Sequence, residues 1–338
     1  VYGGILPLTI KYVLEESYVK NSIFYVPLYM NCSKALISIV IPVYNRAAVV
    51  TRTLDSVFAQ TARPLQLILV DNASTDGSAE LLRQWAATHD SSDFGVRLLS
   101  EPQPGAARAR NCGLRAVDTP WTMFFDSDDL MRPGHVDRVL RAIERCPQAD
   151  IFGWDVIAYD AAGHARKLLF EPAGAAWHNL MHGMLATQRY CARTELFRRA
   201  GGWCDSLATW DDIELGTRLL CLGPRVVRLG GEPTVEVYYS DESVTGPGYA
   251  ASMQKSLAAL GEIARNYGRL GPLSHVRLKQ AILAADCVRE GRTDARSLLD
   301  EALRADSRRL NRLAYRLAYR YRLAGGRGAA RLFKPLLR

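Results

Sequence analysis

Carboxylates are the side chains in this sequence most able to do chemistry, and they fall in short clusters. Asp126-Ser127-Asp128-Asp129 follows the apolar run Met123-Phe124-Phe125, so several charges crowd the mouth of a buried strand. Ionised carboxylates held together repel one another, and a hard divalent cation relieves that repulsion while bridging phosphate oxygens. The competing use is a helix N-cap by Asp128 or Asp129 ahead of the segment containing Pro133. Asp71 ends a second apolar run, where a carboxylate can accept hydrogen bonds from a base or ribose edge. The turn formers between Asn72 and Gly77, Asp76 among them, offer an Asx-turn instead. Arg108 and Arg110 lie in Gly105-Ala106-Ala107-Arg108-Ala109-Arg110-Asn111, near the start of a predicted helix. There they suit a diphosphate through charge and free backbone N–H groups; surface ion pairing is the ordinary alternative. Trp210-Asp211-Asp212-Ile213-Glu214 opens a helix with three acids. The helix dipole favours acids in a first turn. One of them serving as a general base for an incoming hydroxyl is the functional alternative.

These clusters need a frame to bring them together. Leu36 to Pro42, Leu65 to Val70, Val96 to Leu99 and Trp121 to Phe125 read as strands buried on both faces. Helical spacing over 47–60, Ser78 to Ala87 and Ala106 to Ala116 alternates with them. Strand, helix, strand in succession implies an α/β fold with a parallel sheet and helices on both faces. Ligands of such sheets bind beyond the carboxyl ends of the strands, where Pro42–Arg46, Asp71–Asp76 and Asp126–Asp129 all lie. Beyond residue 135 the pattern is mixed: Ile151 to Tyr159 and Val226 to Tyr239 contain strand-like runs, and 210–222 is helical. From about 250 the chain turns helical. We therefore divide it into an extension of unknown role (1–34), an α/β domain (35–248) and a helical C-terminal region (249–338).

Composition excludes several classes. Hydrophobic residues make up 48% and charged residues 23% of 338, as in a core-forming protein. The net charge is +8, but residues 304–338 hold eleven Lys/Arg and only Asp306 as an acid. That segment carries +10, so the rest sums to −2 and offers no nucleic-acid surface. In the tail Leu310, Leu313, Leu317 and Tyr321 share one helical face, and Arg308, Arg312, Arg316 and Arg320 another. Such a helix lies on an anionic membrane or packs its leucines on the domain. No C-x-x-C pair exists among seven cysteines, so no zinc site or disulfide framework is expected and reduced thiols fit a cytosol. No apolar run reaches the roughly 18–20 residues that span a bilayer.

Taken in order, these segments resemble glycosyltransferase family 2, an inverting group with the GT-A fold, over residues 36–245. Ser38-Ile39-Val40-Ile41-Pro42-Val43-Tyr44-Asn45 resembles its opening strand and nucleotide-contacting turn. Asp71 to Asp76 resembles its acidic turn, with Asn72-Ala73 in place of the commoner Asp-Gly. Gly105 to Asn111 resembles its Gly-x-x-x-Ala-Arg-Asn helix start, and Asp126-Ser127-Asp128 its metal-binding D-x-D. Gly201-Gly202-Trp203 followed by Asp211-Asp212 resembles its acceptor-side segment and acid pair. The resemblance implies a GT-A nucleotide-binding sheet flanked by helices, with a helical C-terminal appendage. It implies a nucleotide-sugar donor, UDP-linked, and a glycan or lipid-linked acceptor. It puts Pro42, Tyr44, Asn45, Asp71, Arg110 and Asp126 against the donor. Asp128, with Asp126, would hold Mn²⁺ or Mg²⁺; Asp212, ahead of Asp211, would be the base. Where many members carry a late metal-binding His, this chain has Ser240, followed by Asp241. The resemblance also suggests polysaccharide biosynthesis for the cell envelope, in the cytoplasm or peripherally at the membrane's inner face. Rival readings are a sugar-nucleotide-binding module without catalysis and a sugar-phosphate nucleotidyltransferase, whose Gly-rich, Arg-containing opening is missing. A dehydrogenase would need G-x-G-x-x-G after the first strand, which Pro42-Val43-Tyr44-Asn45 does not supply.

Overall fold

A computed structural model describes residues 35–239 and 249–337. The extension 1–34, the boundary at 248, and Ser240 and Asp241 lie outside the described residues.

The first half of the chain folds as its hydrophobic runs dictate. Strands β1 (Ile37–Val43), β2 (Leu65–Asp71), β3 (Phe94–Ser100) and β4 (Trp121–Phe124) alternate with helices α1 (Val50–Phe58), α2 (Ser78–His89) and α3 (Ala106–Ala116). β1 pairs in parallel with both β2 and β4, and β2 with β3. The register sets Val43 beside Asp71 and Val40 beside Phe124, so Tyr44, Asn72 and Asp126 emerge from one carboxyl edge.

Alternate side chains of these strands feed two cores, as period-2 geometry requires. Ile37, Ile39, Ile41 and Val43 pack with Val50, Leu54 and Val57 of α1 and Leu82 and Trp85 of α2. Val40, Ile68 and Val70 pack on the other face with Ala107, Ala109 and Cys112 of α3. α3 lies so close to the sheet that a Cβ on Gly113 would stand 2.3 Å from Val40 Cγ1.

The chain continues through β5 (Leu130–Met131), α4 (His135–Arg145), β6 (Ile151–Trp154), β7 (Val156–Tyr159), β8 (Ala165–Leu168) and α5 (Ala175–His182). There follow β9 (Tyr190–Arg193), α6 (Thr194–Arg199), α7 (Asp211–Cys221), β10 (Val226–Leu229) and β11 (Val235–Tyr238). The main sheet has seven strands in the order β10-β6-β9-β4-β1-β2-β3, and a second sheet runs β5-β11-β7-β8. β9 is antiparallel to both neighbours, so the sheet is mixed rather than purely parallel. This four-residue strand carries no periodicity for a sequence reading to find.

Helices α8 (Tyr249–Tyr267), α9 (Ser274–Arg289), α10 (Arg296–Arg304), α11 (Arg309–Leu323) and α12 (Ala329–Phe333) complete the fold. Their apolar core, built on Ile263, Leu278, Ala281, Leu298 and Tyr315, also takes in Trp177 and Leu180 of α5 and Ile213 of α7. The helical region therefore shares side chains with the helix that Asp211 and Asp212 begin.

Candidate active site

The turn after β1 and the turn after β2 are built from each other. Asn45, at φ 50°, and Ala73, at φ 56°, adopt left-handed backbone. Asn45 Oδ1 accepts the Thr75 N–H at 2.8 Å, and its own N–H donates to Ser74 Oγ at 3.1 Å. Asp76 accepts from the Ala47 N–H at 3.0 Å and from Ser78 Oγ at 2.6 Å; the Ser78 and Ala47 bonds hold its carboxyl below the usual range. Asp76 is thus spent on the turn. Asp71 is not: it is buried and its Oδ1 has no hydrogen-bond partner among the described residues. A buried carboxylate oxygen left so costs about 1–3 kcal/mol or more, which a donor from a ligand would offset. Beside it, Pro42 is half-buried and Tyr44 is exposed at the strand's end.

The acidic cluster after β4 divides by residue. Asp129 is buried and accepts the Tyr238 N–H at 2.9 Å, fastening β11. Burial and the neighbouring Asp126 and Asp128 push its carboxyl well up. Neither it nor Asp128 caps a helix: α4 begins after Gly134 without a side-chain cap. Asp128 keeps its side chain partly open, with Arg46 Nε at 3.7 Å and Arg52 donating to its backbone carbonyl at 2.8 Å. Burial first, then repulsion from Asp126, raises its pKa. Among the described residues no three His, Cys, Asp or Glu side chains gather into a complete metal cage. Asp126 and Asp128 nevertheless supply hard oxygen donors whose mutual repulsion a cation would relieve. That fits an ion held by one or two carboxylates together with substrate phosphates.

Arg110 joins this cluster to the acids that open α7. Its Nη2 donates to Asp126 Oδ1 and its Nη1 to Asp211 Oδ2, both at 2.9 Å, and its guanidinium lies 4.5 Å from the Trp203 ring centre. The next residue secures the geometry: Asn111 accepts the Trp203 N–H and donates to the Trp203 carbonyl, each at 2.8 Å. Gly202, at φ 72°, is required there, since a Cβ would fall 2.6 Å from Asn111 Oδ1. The Ala-Arg-Asn and Gly-Gly-Trp segments are two halves of one joint. Arg108 goes elsewhere, to Gln103 and Asp205.

The three acids of α7 also separate. Glu214 is buried in a two-point pair with Arg218 at 2.6 Å and is structural. Asp211 belongs to Arg110. Asp212 accepts the Ile213 N–H at 2.7 Å, and burial, then the neighbouring Asp211, pushes its carboxyl up to about 6. Trp210, just ahead, has φ 54°, a strain of about 1–3 kcal/mol for a bulky residue that its surroundings must hold in place. Arg52 of α1, which faces Asp128, and Lys279 of α9, which faces Asp212, are not singled out by the sequence: each comes from a helix without a motif.

Comparison with known proteins meets this geometry over the β1–β4 half of the site, with Trp203 and the α7 acids beyond the matched residues. Residues 38–200 match the family described as "Glycosyl transferase family 2". Those residues form a domain of that family. An uncharacterised glycosyltransferase of Haemophilus influenzae is 26% identical over 191 residues, 55% of this chain and 62% of that protein. Glycosyltransferase GlyG of Streptococcus pneumoniae serotype 4 is 29% identical over 126 residues, 37% of this chain and 40% of its own. The chain thus spans less than two thirds of these curated relatives. Among solved structures, S. aureus TarS 1–349 in complex with UDP-GlcNAc superposes with TM-score 0.60 at 14% identity, covering 88% of this chain and 90% of that one. Mannosyltransferase PcManGT from Pyrobaculum calidifontis, in complex with GDP-Man and Mn²⁺, gives TM-score 0.53 at 21% identity, covering 94% and 88%. The fold is GT-A.

Proposed function

We propose that this chain is an inverting glycosyltransferase that moves a sugar from a UDP-linked donor to a hydroxyl of a glycan or lipid-linked acceptor. The observation that carries the proposal is the Arg110 bridge, which holds the post-β4 carboxylates and the α7 acid pair at one rim. In this reading Asp71 receives the base, with Pro42, Tyr44 and Asn45 shaping the pocket around it. Arg110 and Asp126 border the diphosphate. Asp128, with Asp126, would hold Mn²⁺ or Mg²⁺, which when bound neutralises charge on the leaving diphosphate. Asp212, as carboxylate, removes the acceptor hydroxyl's proton while that oxygen attacks the anomeric carbon from the face opposite the departing diphosphate. The anomeric configuration therefore inverts in one displacement. Asp212 is suited to this because a base whose pKa approaches the working pH is ionised yet still basic enough to take the proton.

The test is release of UDP from UDP-GlcNAc, with GDP-mannose as a second donor, in Mn²⁺ and in chelator. Turnover in Mn²⁺ that chelator abolishes is the expected result. Binding of both donors with no turnover under any condition would instead indicate a binding module.

A peripheral membrane position is part of the proposal. α11 packs on α9 through Ala314, Tyr315, Ala318 and Tyr319, not through its leucines. Leu310, Leu313, Leu317 and Tyr321 are 48%, 45%, 36% and 37% exposed, beside the exposed Arg309, Arg316 and Arg320. An apolar stripe bordered by arginines complements an anionic bilayer, each arginine contributing about 1 kcal/mol near the surface. No helix among the described residues is long and apolar enough to cross a membrane. We expect the protein to sediment with phosphatidylserine vesicles and Leu313→Glu/Leu317→Glu to stay in solution. Equal recovery of both variants in the supernatant would end the membrane reading.

A further inference from the structure

Resting on the reading of Asp212 as base, we infer that Lys279 is its positioning residue, contributed by the helical region beyond the family 2 match. Lys279 lies on α9, well past residue 200 where that match ends. Its ammonium stands 4.3 Å from the centre of the Trp210 ring and donates to the Leu180 carbonyl of α5. α5 is in turn bound to α7, Asn179 Nδ2 donating to the Ile213 carbonyl at 2.9 Å. One ammonium therefore ties together α9, the end of α5 and the left-handed residue directly before Asp211-Asp212. A cation over an indole face is attracted by the ring quadrupole, more strongly when water is excluded. That contact holds Trp210 in the backbone conformation from which the acid pair projects.

The ammonium also faces the carboxylate electrostatically. Asp212 is faced by Asp211 of α7, Arg110 of α3, Arg189 and Tyr190 before and on β9, and Lys279 of α9. His182 of α5 and Asp212 are the titratable groups facing Lys279. Burial pulls Lys279 down to about 8, with Asp212 opposing that shift, so between about 6 and 8 both members are charged. A cavity of about 240 Å³ adjoins Lys279, Trp210 and His182, which leaves room for a different side chain at 279 without overpacking.

The sign of the coupling is fixed. A cation favours the carboxylate form, so removing it raises the Asp212 pKa further. Because the folded value, about 6, lies above the ordinary 3.8, the wild type loses stability relative to Asp212→Asn as pH rises above 3.8. The loss levels off near 6. The experiment measures melting temperature from pH 4.5 to 8 for wild type, Asp212→Asn, Lys279→Met, the double variant and Lys279→Arg with and without Asp212→Asn. In the Lys279→Met background the levelling-off is expected at a higher pH, because the carboxylate has lost a cation that favours it. Lys279→Arg should return it to about 6. A structural role alone would lower every melting temperature and leave the levelling-off in place, and that result overturns the inference. Turnover by Asp212→Asn is read separately. If it matches wild type, the base assignment fails, whatever the thermal series shows.

Discussion

Asp212→Asn is expected to cut glycosyl transfer by about 10²–10⁴-fold, the range for a lost general base, while donor affinity stays close to wild type. Asparagine keeps the shape of the side chain and can still accept the Ile213 N–H at Oδ1, but it cannot take a proton from an attacking hydroxyl. The same residue sets the pH dependence. Burial and Asp211 hold the Asp212 carboxyl at about 6, and only the ionised form is a base. Transfer should therefore fall as pH drops through about 6, approaching tenfold per unit below it. The variant should melt no lower than wild type at pH 8, because wild type there buries a charge that asparagine lacks. That control separates lost chemistry from lost structure. Wild-type turnover by Asp212→Asn, or a rate independent of pH between 5 and 7, would remove Asp212 from the mechanism.

What the sequence made legible follows the range over which each interaction acts. Asp71 and Asp126 are readable because a continuous apolar run must be a buried strand, and a carboxylate just past it must emerge at the sheet's edge. The family resemblance then orders these edges into one fold, which the GT-A neighbours bear out. Asp76 shows the limit of that logic. It sits in the same turn as Asp71, yet it is consumed by Ser78 and the Ala47 N–H, while Asp71 Oδ1 stays unpartnered. Residue type and spacing cannot assign which acid spends its oxygens locally. The acids of α7 repeat the point: the dipole argument treats Asp211, Asp212 and Glu214 alike, and the fold gives them three different partners. Arg218 takes Glu214 because it lies one turn along the same helix, whereas Arg110 takes Asp211 from α3, which packs in the same core as α7. The tail stays open in the sequence for a related reason. Leucine periodicity allows Leu313 and Leu317 to face either a membrane or the domain; in the fold the small Ala314 and Ala318 are buried and the leucines are left outside.

Replacing Arg110 should produce the largest combined loss of stability and activity in the molecule. Its side chain is 9% exposed and binds Asp126 and Asp211 through separate nitrogens, so the carboxylates raise an already high pKa that burial alone would lower. Arg110→Met would leave two carboxylates facing each other without the cation between them. Breaking a buried ion pair by removing one partner costs about 3–5 kcal/mol, enough to lower the melting temperature by several degrees. Arg110→Lys is the sharper probe. Its charge is retained, but a single ammonium cannot reproduce two divergent N–H bonds and a flat stack on Trp203. Lysine can satisfy Asp126 or Asp211, not both in their present positions, so the joint between the post-β4 cluster and α7 loosens even though the charge count is unchanged. We expect Arg110→Lys to fold, to lose roughly 10²-fold in transfer, as when one preorganised charge-stabilising donor is removed, and to show weaker donor binding. Asp211→Asn added to Arg110→Lys should then cost much less than Asp211→Asn alone, because coupled partners are not additive. Strict additivity of the two changes, with donor binding intact in Arg110→Lys, would mean that the bridge merely neutralises charge and does not hold the two halves of the site together.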